Sequence, residues 1–427
     1  MATIWYVSAY SGLSANNNQR NRHYRFTRAL LERAHNVVVF TSDVDNYKGQ
    51  ARGLTGGDDY RDWTSEGLTT RVLRGREYLS TFSRFLGMIH FEKMVLTSTE
   101  GLQKPDLVIG KSIHPFAAHG ARLLARRFKA PFVLELGDIW PQTLVDLGAL
   151  KKTHPAFWIL RWLELDLYRK AQRILSKIPY AKRHIGFKEG VPSKVVYLPN
   201  SVDLDPYLSP EYPSLPRQEH DFTVVYAGST SPVYGLNTLV DAAAIVGERR
   251  PELPISFRIV GSGSSLSALK SYARSRNLRN LEFVGRIPLD DIPIELGRAS
   301  LCIDLARDLD VVRKYGMSHN KIYEYMGSAR PVIFAVASAN DPIAEANAGL
   351  TVPPEDPVAL AEAILELQGR TYEERLEMGR RAQEYVSKRY THENMSERFA
   401  LVIEEVLEGL EPETYVNADD LKLNEGA

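Results

Sequence analysis

Short apolar segments alternate with amphipathic segments along the first half of the chain. The strand-like segments are 4–9, 36–41, 107–109 and 131–136. A Ser/Asn-rich loop at 11–18 follows the first of them, and a helix is predicted from there to about Arg33. Strands and helices that alternate at this spacing predict a parallel sheet covered by helices on both faces.

A proline-rich segment, 198–217, separates this series from a second one. The second series has strand-like segments at 222–227, 255–260, 281–284 and 300–305, and helical segments at 236–247 and 266–276. The chain is therefore expected to be an α/β protein with two doubly wound domains, 1–205 and 206–392, that face a central cleft. A core-facing amphipathic helix is predicted over 393–410, and a polar tail over 411–427.

The charge is distributed unevenly, although the net charge is zero. Residues 1–200 carry 30 Lys and Arg against 17 Asp and Glu, whereas the rest of the chain carries 23 against 36. A basic half of this kind indicates contact with a negative surface. Membrane lipid is favoured over nucleic acid, because the sequence contains no zinc-ligand, helix-turn-helix or aromatic RNA-binding pattern.

The cysteine content and the length of the apolar runs predict a cytoplasmic protein. Cys302 is the one cysteine, which fits a reducing compartment, and its apolar surroundings predict a buried core thiol. No apolar run approaches the roughly 20 residues that a helix needs to cross a bilayer.

The segment 319–335, HNKIYEYMGSARPVIFA, combines a short helix with a buried strand. Ile322 and Met326 share one face at helical spacing, and Pro331 ends the helix before the strand. Lys321 stands at the start of this helix, beside backbone N–H groups that have no partner inside the helix. Such a helix start favours an anion, most often a phosphate. Taken alone, the same window is also compatible with an ordinary surface helix.

Two Ser/Gly-rich turns, 227–231 and 260–265, follow strands of the second domain. Glycine lets a ligand approach the backbone closely, and free N–H groups in such turns bind phosphate. Gly261 and Gly263 begin a dinucleotide-like pattern, but Leu266 stands where its third glycine belongs. The broken pattern argues against a nicotinamide site and favours a nucleotide diphosphate.

Eight segments, in this order and at these spacings, resemble one family of enzymes. They are 24–41, 131–148 (PFVLELGDIWPQTLVDLG), 198–203, 225–239 (VYAGSTSPVYGLNTL), 259–263, 283–288, 320–332 (NKIYEYMGSARPV) and 349–360. The chain resembles the retaining glycosyltransferases of family 4, in the bacterial polysaccharide and O-antigen branch that includes fucosamine transferases. The resemblance covers about 4–410.

This resemblance implies the GT-B fold, with two Rossmann-like domains and a C-terminal helix that packs back on the first. It also implies hexosyl transfer from a nucleotide-diphosphate sugar, such as a UDP-sugar, to a hydroxyl group of a lipid-linked glycan. The first domain would bind the acceptor and the second the donor. No cofactor is implied besides the donor substrate.

The resemblance also assigns roles in the donor site. Glu324 corresponds to the second glutamate of the family's E-x7-E motif and is expected to bind the ribose hydroxyls. Lys321 and the N–H groups from Ser318 to Ile322 are expected to hold the diphosphate. The other residues expected to line the site are Gly12, Gly228, Ser229, Gly261, Gly263, Arg286, Ile287, Arg313 and Asn320.

Three features of the first domain are expected to act on the sugar and its acceptor. The loop 12–18 would close over the sugar phosphate. His114 and Asp138 would face the transferred sugar or the acceptor hydroxyl, and with Lys321 they are the predicted catalytic residues. A hydrogen-bonded structural histidine and a carboxylate that caps a turn are the alternatives for His114 and Asp138.

The chain departs from the family pattern at three positions. Gly316 stands where the first glutamate of E-x7-E is expected. Ser229 and Tyr234 stand in the loop that normally carries an Arg/Lys pair for the phosphates. The candidates for the missing positive charge are Lys321, Arg313 and Lys314.

Asp-x-Asp pairs raise the question of a metal ion. They are Asp43/Asp45, Asp203/Asp205 and Asp308/Asp310. None of them follows the kind of buried strand expected in a metal-dependent transferase. Solvated loop carboxylates are therefore favoured, and no metal is predicted.

Two segments of the first domain, 71–96 and 151–188, mix basic and aromatic residues. Amphipathic stretches of this composition suit the interface between water and anionic lipid. Packed helices with a solvated basic face are the alternative. Together with the charge imbalance, these stretches predict peripheral contact with the inner face of the cytoplasmic membrane.

Three other functions are compatible with the pattern. A sugar-nucleotide epimerase of the same fold would act on the donor without an acceptor. A nicotinamide enzyme is disfavoured by the broken glycine pattern. A non-catalytic scaffold protein that binds sugar nucleotides would explain the departures at Gly316 and Tyr234.

Overall fold

The computed structural model describes residues 1–11, 22–45, 49–51, 54, 56–65, 67–185, 192–216 and 222–410. They divide into two compact units, one with residues 1–199 and the chain from Met395 onwards, the other with Asn200–Asn394. Gly12, the rest of the loop 12–18 and the tail 411–427 lie outside the described residues.

The first unit is built on a largely parallel sheet. Its strands are β1 (Thr3–Val7), β2 (Asn36–Ser42), β3 (Tyr60–Ser65), β4 (Leu68–Leu73), β5 (Leu107–Lys111), β6 (Phe132–Leu136), β7 (Arg173–Ser176) and β8 (Val195–Tyr197). Among the described residues the strand order is β3-β4-β2-β1-β5-β6-β7-β8. Within the described strands, β3 alone runs antiparallel to its neighbour, β4. The predicted alternation of strands and helices is confirmed, and the β3–β4 hairpin extends it.

Helices connect these strands. They are α1 (Arg22–Glu32), α2 (Thr81–Thr97), α3 (Pro115–Phe128), α4 (Gln142–Asp146), α5 (Pro155–Lys170) and α6 (Ala181–Ile185). The prediction of one amphipathic stretch over 71–96 is wrong at its start. Arg71 lies in β4, only 2% exposed, and binds Asp62 of β3 through two hydrogen bonds.

The second unit has a fully parallel sheet in its described part. Its strands are β9 (Phe222–Ala227), β10 (Ile255–Val260), β11 (Leu281–Gly285), β12 (Leu301–Leu305), β13 (Val332–Ala335) and β14 (Gly349–Thr351), in the order β11-β10-β9-β12-β13-β14. All the strands predicted here are confirmed. β9, β12 and β13 are largely buried apolar runs, whereas β11, at the edge of the described sheet, is only partly buried. Cys302 in β12 is fully buried, and burial raises the pKa of its thiol to about 12.

The helices of the second unit complete the doubly wound pattern. They are α7 (Asp205–Leu208), α8 (Asn237–Arg249), α9 (Leu266–Ser275), α10 (Ile292–Gly297), α11 (Asp310–Tyr315), α12 (Asn320–Gly327), α13 (Pro342–Ala346), α14 (Pro357–Gly369) and α15 (Tyr372–Arg389). In the described residues, short 3-10 helices occur at Pro192–Lys194 of the first unit and at Pro232–Tyr234 and Leu289–Asp291 of the second.

The last described helix, α16 (His392–Glu408), joins the core of the first unit. Phe399 is fully buried there and stacks on Phe26 of α1, with ring centroids 4.2 Å apart. Met395 and Val406 are buried on the same side, whereas Leu410 is 43% exposed. None of the described helices is long and apolar enough to cross a bilayer.

Candidate functional site

The start of α12 is held against the carboxyl end of β9. Tyr325 has no exposed surface, and its hydroxyl accepts from the Ala227 N–H at 2.7 Å and donates to the Ala227 carbonyl at 3.0 Å. Ile322 and Met326 are buried in the core of the second unit, as their spacing predicted. The first turn of α12, where helix N–H groups lack a partner inside the helix, is therefore fixed beside the turn that follows β9.

The side chain of Lys321 lies in a polar and aromatic enclosure at this point. Its Nζ is 3.0 Å from Oδ1 of Asp304 and 3.3 Å from the hydroxyl of Tyr226. The same atom lies 3.7 Å from the ring centroid of Tyr234 and 4.6 Å from that of Tyr226. Burial lowers the pKa of Lys321, and the attraction of Asp304 opposes that shift.

Asp304 is the carboxylate that orients this site. It lies in β12 with no exposed surface, and Nδ1 of His319 is 3.0 Å from the oxygen that contacts Lys321. Burial alone would raise the pKa of Asp304, but Lys321 and His319 hold it below its ordinary value. Asp304 therefore stays ionised and fixes two nitrogen groups at the start of α12.

The predicted glycines Gly261 and Gly263 allow the turns after β9 and β10 to pack closely together. Gly261 has φ +132°, and a Cβ atom there would lie 1.8 Å from the carbonyl oxygen of Gly228. A Cβ atom on Gly263 would lie 2.8 Å from the carbonyl carbon of Thr230. The turns after β9 and β10 also share a hydrogen bond, 3.1 Å long, from the Thr230 N–H to the Ser262 carbonyl. The close contact between the two turns therefore accounts for glycine at both positions.

Glu324 has a tyrosine partner that the sequence did not indicate. The hydroxyl of Tyr207 in α7 donates a hydrogen bond to Oε2 of Glu324. Tyr207 is 4% exposed, whereas Glu324 is half-buried. The proline-rich segment therefore supplies a group that orients the predicted ribose-binding carboxylate.

Ser318 is hydrogen-bonded to the residue that begins the second unit. Asn200 donates through its backbone N–H to the Ser318 hydroxyl at 2.9 Å and through its side-chain amide to the Ser318 carbonyl at 2.5 Å. The hydroxyl of Tyr323 is 3.0 Å from the same serine oxygen. Asn320, at the first position of α12, is exposed. The loop before α12 is thus fixed by Asn200, while the first helical residue faces solvent.

The other predicted basic residues are exposed. Arg313 and Lys314 lie in α11, with side chains 54% and 60% exposed. Each is paired with an aspartate of its own segment, Arg313 with Asp308 and Lys314 with Asp310. Arg286 follows β11 and is exposed, whereas Ile287 packs against the core. Of the three candidates for the missing charge, Lys321 is the one enclosed beside the start of α12.

The backbone explains why glycine stands at position 316. Gly316 ends α11 with φ +80° and ψ −178°. Residues other than glycine are almost excluded from this conformation. A glutamate at this position would therefore strain the loop that leads into α12.

The two predicted sugar-facing residues of the first unit follow neighbouring strands. His114 is 1% exposed and caps α3, because its Nδ1 accepts from the Ala117 N–H at 3.1 Å. Burial, helped by the charge of Arg84, lowers the pKa of His114 to about 3. Asp138 follows β6, 45% exposed, with Nζ of Lys177 at 3.7 Å. His114 has a structural contact, and Asp138 is accessible to solvent.

A buried charge cluster in the first unit was not predicted. Glu135 of β6 is 3.0 Å from Nε of Arg22 and 3.4 Å from Nζ of Lys111, and it accepts from the hydroxyl of Tyr6. Burial alone would raise the pKa of Glu135, but the attraction of these cations outweighs that effect and holds the pKa well below its usual range. Burial and Lys111 lower the pKa of His23 to about 3, and burial lowers that of Lys111 to about 8.

Asp304 and Glu135 share a sequence signal that could have identified both. Each is a single carboxylate inside an otherwise apolar strand, LCIDL in β12 and FVLEL in β6. A charged residue in a fully buried strand is rare unless it is paired. Such a carboxylate therefore predicts a cation on a neighbouring element.

The Asp-x-Asp pairs are not all solvated as predicted. Asp43 is 1% exposed and accepts from the Gly75 N–H at 2.6 Å, whereas Asp205, Asp308 and Asp310 are exposed. Burial raises the pKa of Asp43. In the part of the chain that the structure describes, no three His, Cys, Asp or Glu side chains form a group suited to a metal ion.

Curated relatives share part of this chain. "Probable glycosyltransferase WbjE" of Pseudomonas aeruginosa is 24% identical over 55% of this chain, and the match spans 59% of the length of WbjE. "Putative colanic acid biosynthesis glycosyl transferase WcaI" of Escherichia coli K12 is 25% identical over 66% of this chain and 72% of its own length.

Solved structures show the same fold. Sucrose-phosphate synthase from Thermosynechococcus elongatus superposes with a TM-score of 0.74 at 16% identity, over 96% of this chain and all of that one. Anabaena HepE, solved in complex with UDP-glucose, gives a TM-score of 0.65 at 16% identity, over 95% of this chain and all of HepE. The predicted GT-B fold is confirmed.

Family comparison matches each part of the chain separately. Residues 19–201 match the family described as "Glycosyl transferase 4-like domain". Residues 221–369 match the family described as "Glycosyl transferases group 1". Two glycosyltransferase domains, one of each family, therefore follow one another along the chain.

Proposed function

We propose that the protein is a retaining glycosyltransferase that moves a sugar from a UDP-sugar to a hydroxyl group of a lipid-linked glycan. The choice of UDP is supported by HepE, which was solved with UDP-glucose. A role in bacterial polysaccharide synthesis is supported by WcaI, which is named for colanic acid biosynthesis. The second unit would bind the donor and the first unit the acceptor.

The arrangement of Lys321 at the start of α12 carries this proposal. An ammonium group has three N–H donors, and Asp304 and the Tyr226 hydroxyl lie within reach of two of them. The third donor would bind a phosphate oxygen next to the first N–H groups of the helix. Ammonium and helix dipole would then act on the same anion.

Glu324 would complete nucleotide binding one turn further along α12. A carboxylate can accept a hydrogen bond from each of two vicinal hydroxyl groups, which suits the ribose. The hydrogen bond from Tyr207 would hold the carboxylate in place for that contact. Ser229, Arg286 and Ile287 would line the rest of the donor-binding site.

The chemistry follows from charge development at the breaking bond. Breaking the bond between the anomeric carbon and the diphosphate oxygen leaves positive charge on the sugar and negative charge on the diphosphate. Lys321 and the helix N–H groups would stabilise the negative charge, without a metal ion. The acceptor oxygen would bond to the anomeric carbon on the face from which the diphosphate departs, while the departing oxygen takes the proton of the acceptor hydroxyl. Attack on that face retains the configuration.

His114 and Asp138 are proposed to meet the sugar or the acceptor. Because Nδ1 of His114 already accepts from Ala117, Nε2 is the atom that would contact a sugar hydroxyl. Asp138 is exposed enough to accept a hydrogen bond from the acceptor. We also propose that the enzyme works at the inner face of the cytoplasmic membrane, where a lipid-linked acceptor would be presented.

A donor screen followed by product analysis tests this function. Melting temperature is measured with UDP-, GDP- and dTDP-sugars, and the best donor is incubated with and without lipid-linked oligosaccharides. We expect a UDP-sugar to raise the melting temperature and a glycan product with the donor's anomeric configuration. Conversion of the donor without any acceptor would instead identify an epimerase, and donor binding without any turnover would identify a scaffold protein.

A further inference from the structure

Three large apolar side chains on α5 face solvent. Trp158, Ile159 and Trp162 are 63%, 53% and 60% exposed. Tryptophan is highly buried on average in soluble proteins. Adjacent exposed residues of this size usually mark an interaction surface.

The outer side of α2 adds to this surface. Phe82 and Ile89 are 71% and 40% exposed, and Leu79, just before the helix, is 95% exposed. The side chains of α2 and α5 meet on α3, where His119 lies 2.7 Å from Glu92 of α2 and 6.3 Å, ring to ring, from Trp162. We call the exposed apolar residues of α5 and α2, together with Leu79, the aromatic face.

The aromatic face rests on a small core of its own. Met88 of α2, Phe116 of α3 and Leu160 and Leu163 of α5 are buried together beneath it. The exposed tryptophans are therefore not part of the buried core that holds the three helices together. Their removal should leave the fold intact.

Charge identifies the partner of the aromatic face. The three acidic side chains on α2 and α5 are at most 15% exposed, and each has a nitrogen partner. Glu92 is hydrogen-bonded to His119, while Glu164 and Asp166 form ion pairs with Arg161 and Arg122. The exposed charged residues on these helices and just before α5 are all basic: Arg84, Lys93, Arg126, Arg127, Lys151, Lys152, Arg169 and Lys170. Exposed aromatic groups on helices whose exposed charges are all basic complement anionic lipid.

The position of the aromatic face agrees with this partner. α3 follows β5 and α5 follows β6, so both helices begin at the carboxyl edge of the parallel sheet. Trp158 and Phe82 lie in the first turns of their helices. They are therefore near the edge at which such sheets bind their ligands.

We propose that the aromatic face docks on an anionic membrane, with Trp158, Ile159 and Trp162 at the boundary between headgroups and acyl chains. Tryptophan prefers this boundary because its ring is amphipathic. Lys151 and Lys152 would lie among the phosphate groups. This inference deepens the membrane contact of the proposed function and rests on it, but it can be tested without donor or acceptor.

Vesicle sedimentation measures the docking directly. The full-length protein is mixed with vesicles of phosphatidylglycerol and phosphatidylethanolamine, or of phosphatidylcholine alone. We expect binding to the anionic vesicles only, and a loss of about tenfold or more in W158S/W162S. K151E/K152E should lose about thirtyfold or more, because each basic residue near the surface contributes about 1 kcal/mol. W63S is the matched control, since Trp63 is 40% exposed but lies on β3, and it should bind like the wild type.

Two further measurements separate the alternatives. The melting temperature and the shift caused by a UDP-sugar should be unchanged in W158S/W162S, so that a failure of the donor site is distinguishable from a failure of docking. Anionic-vesicle binding that is unchanged in W158S/W162S would overturn the proposal. A wild-type dimer in sedimentation equilibrium without lipid, converted to a monomer by W158S/W162S, would also overturn it and assign the aromatic face to a second copy.

Discussion

The ammonium group of Lys321 lies 3.0 Å from the carboxylate of Asp304, which has no exposed surface. This pair joins the end of β12 to the start of α12, so the charge at the proposed diphosphate site is fixed by the core of the second unit. A buried pair of this kind is costly to break, because the remaining charge loses its partner.

Substitution of Asp304 by Asn should therefore destabilise the protein. We expect Asp304→Asn to lower the free energy of unfolding by about 3 kcal/mol and to raise the KM for the donor, because Lys321 is left without its counter-ion. Urea unfolding and donor kinetics measure the two effects. Asp310→Asn removes the exposed partner of Lys314 and should cost less than about 0.5 kcal/mol. Equal losses in the two variants would contradict the role of Asp304.

The hydrogen bond from Tyr207 to Glu324 predicts an effect on donor binding. Tyr207→Phe keeps the ring in its pocket but removes the donor hydroxyl, at a cost of about 1.5 kcal/mol, or roughly tenfold in the KM for the donor. kcat should change less, because the residue acts through Glu324.

Tyr272→Phe is the control for this effect. It removes a comparable hydrogen bond, 2.6 Å long, from a tyrosine to Asp241 elsewhere in the second unit. The KM should be unaffected there. If Tyr207→Phe also leaves the KM unchanged, Tyr207 does not position the carboxylate.

The backbone at Gly316 predicts that the family glutamate cannot be restored. Gly316→Glu should lower the free energy of unfolding by about 1 to 3 kcal/mol without increasing activity, because φ is +80° there. Gly369→Glu, at the exposed end of α14, places the same side chain on ordinary backbone and should be close to neutral. A gain of activity in Gly316→Glu would show that the loop tolerates the side chain.

Burial of His114 predicts that the free energy of unfolding falls as the pH is lowered. Its pKa is lowered from 6.5 to about 3 in the folded protein, so the unfolded chain takes up the proton first as the pH falls. The stability contributed by the neutral ring is complete above pH 6.5 and is lost between there and about pH 3. The loss should be up to about 1.4 kcal/mol per pH unit for this residue.

His114→Asn isolates this contribution, because asparagine also caps helices well. Urea unfolding at several pH values should show a shallower loss in this variant than in the wild type. His154→Asn changes an exposed histidine that caps α5 in the same way and should leave the slope unchanged. Parallel wild-type and His114→Asn profiles would contradict the burial argument.

Much of the fold follows from local sequence, whereas the contacts at the site do not. β9 was predicted at its observed limits, 222–227, because a strand inside a parallel sheet is buried on both faces and its residues, FTVVYA, are almost all apolar. β3 was missed because its residues, YRDWTS, are mostly polar and exposed at the edge of the sheet. Asp304 and Tyr207 were missed because their partners lie far away in sequence, where periodicity carries no information.

The predicted glycine turns show the same distinction. The sequence predicts where these turns lie, but it does not show why residue 261 is glycine. A side chain there would clash with the backbone of Gly228, which follows another strand. Lys321 was identified from the start of its helix. That its charge is enclosed by Asp304 and two tyrosine rings depends on packing between strands and helix.

The central claim is that a nucleotide diphosphate binds at the start of α12, with Glu324 on the ribose. Titration calorimetry of UDP against the wild type and Glu324→Ala tests it most directly, with Glu366→Ala on the exposed side of α14 as the control. We predict that Glu324→Ala weakens UDP binding by about tenfold or more, since hydrogen bonds to a charged group are lost, and that Glu366→Ala has no effect. Equal affinity in Glu324→Ala and the wild type would contradict the claim.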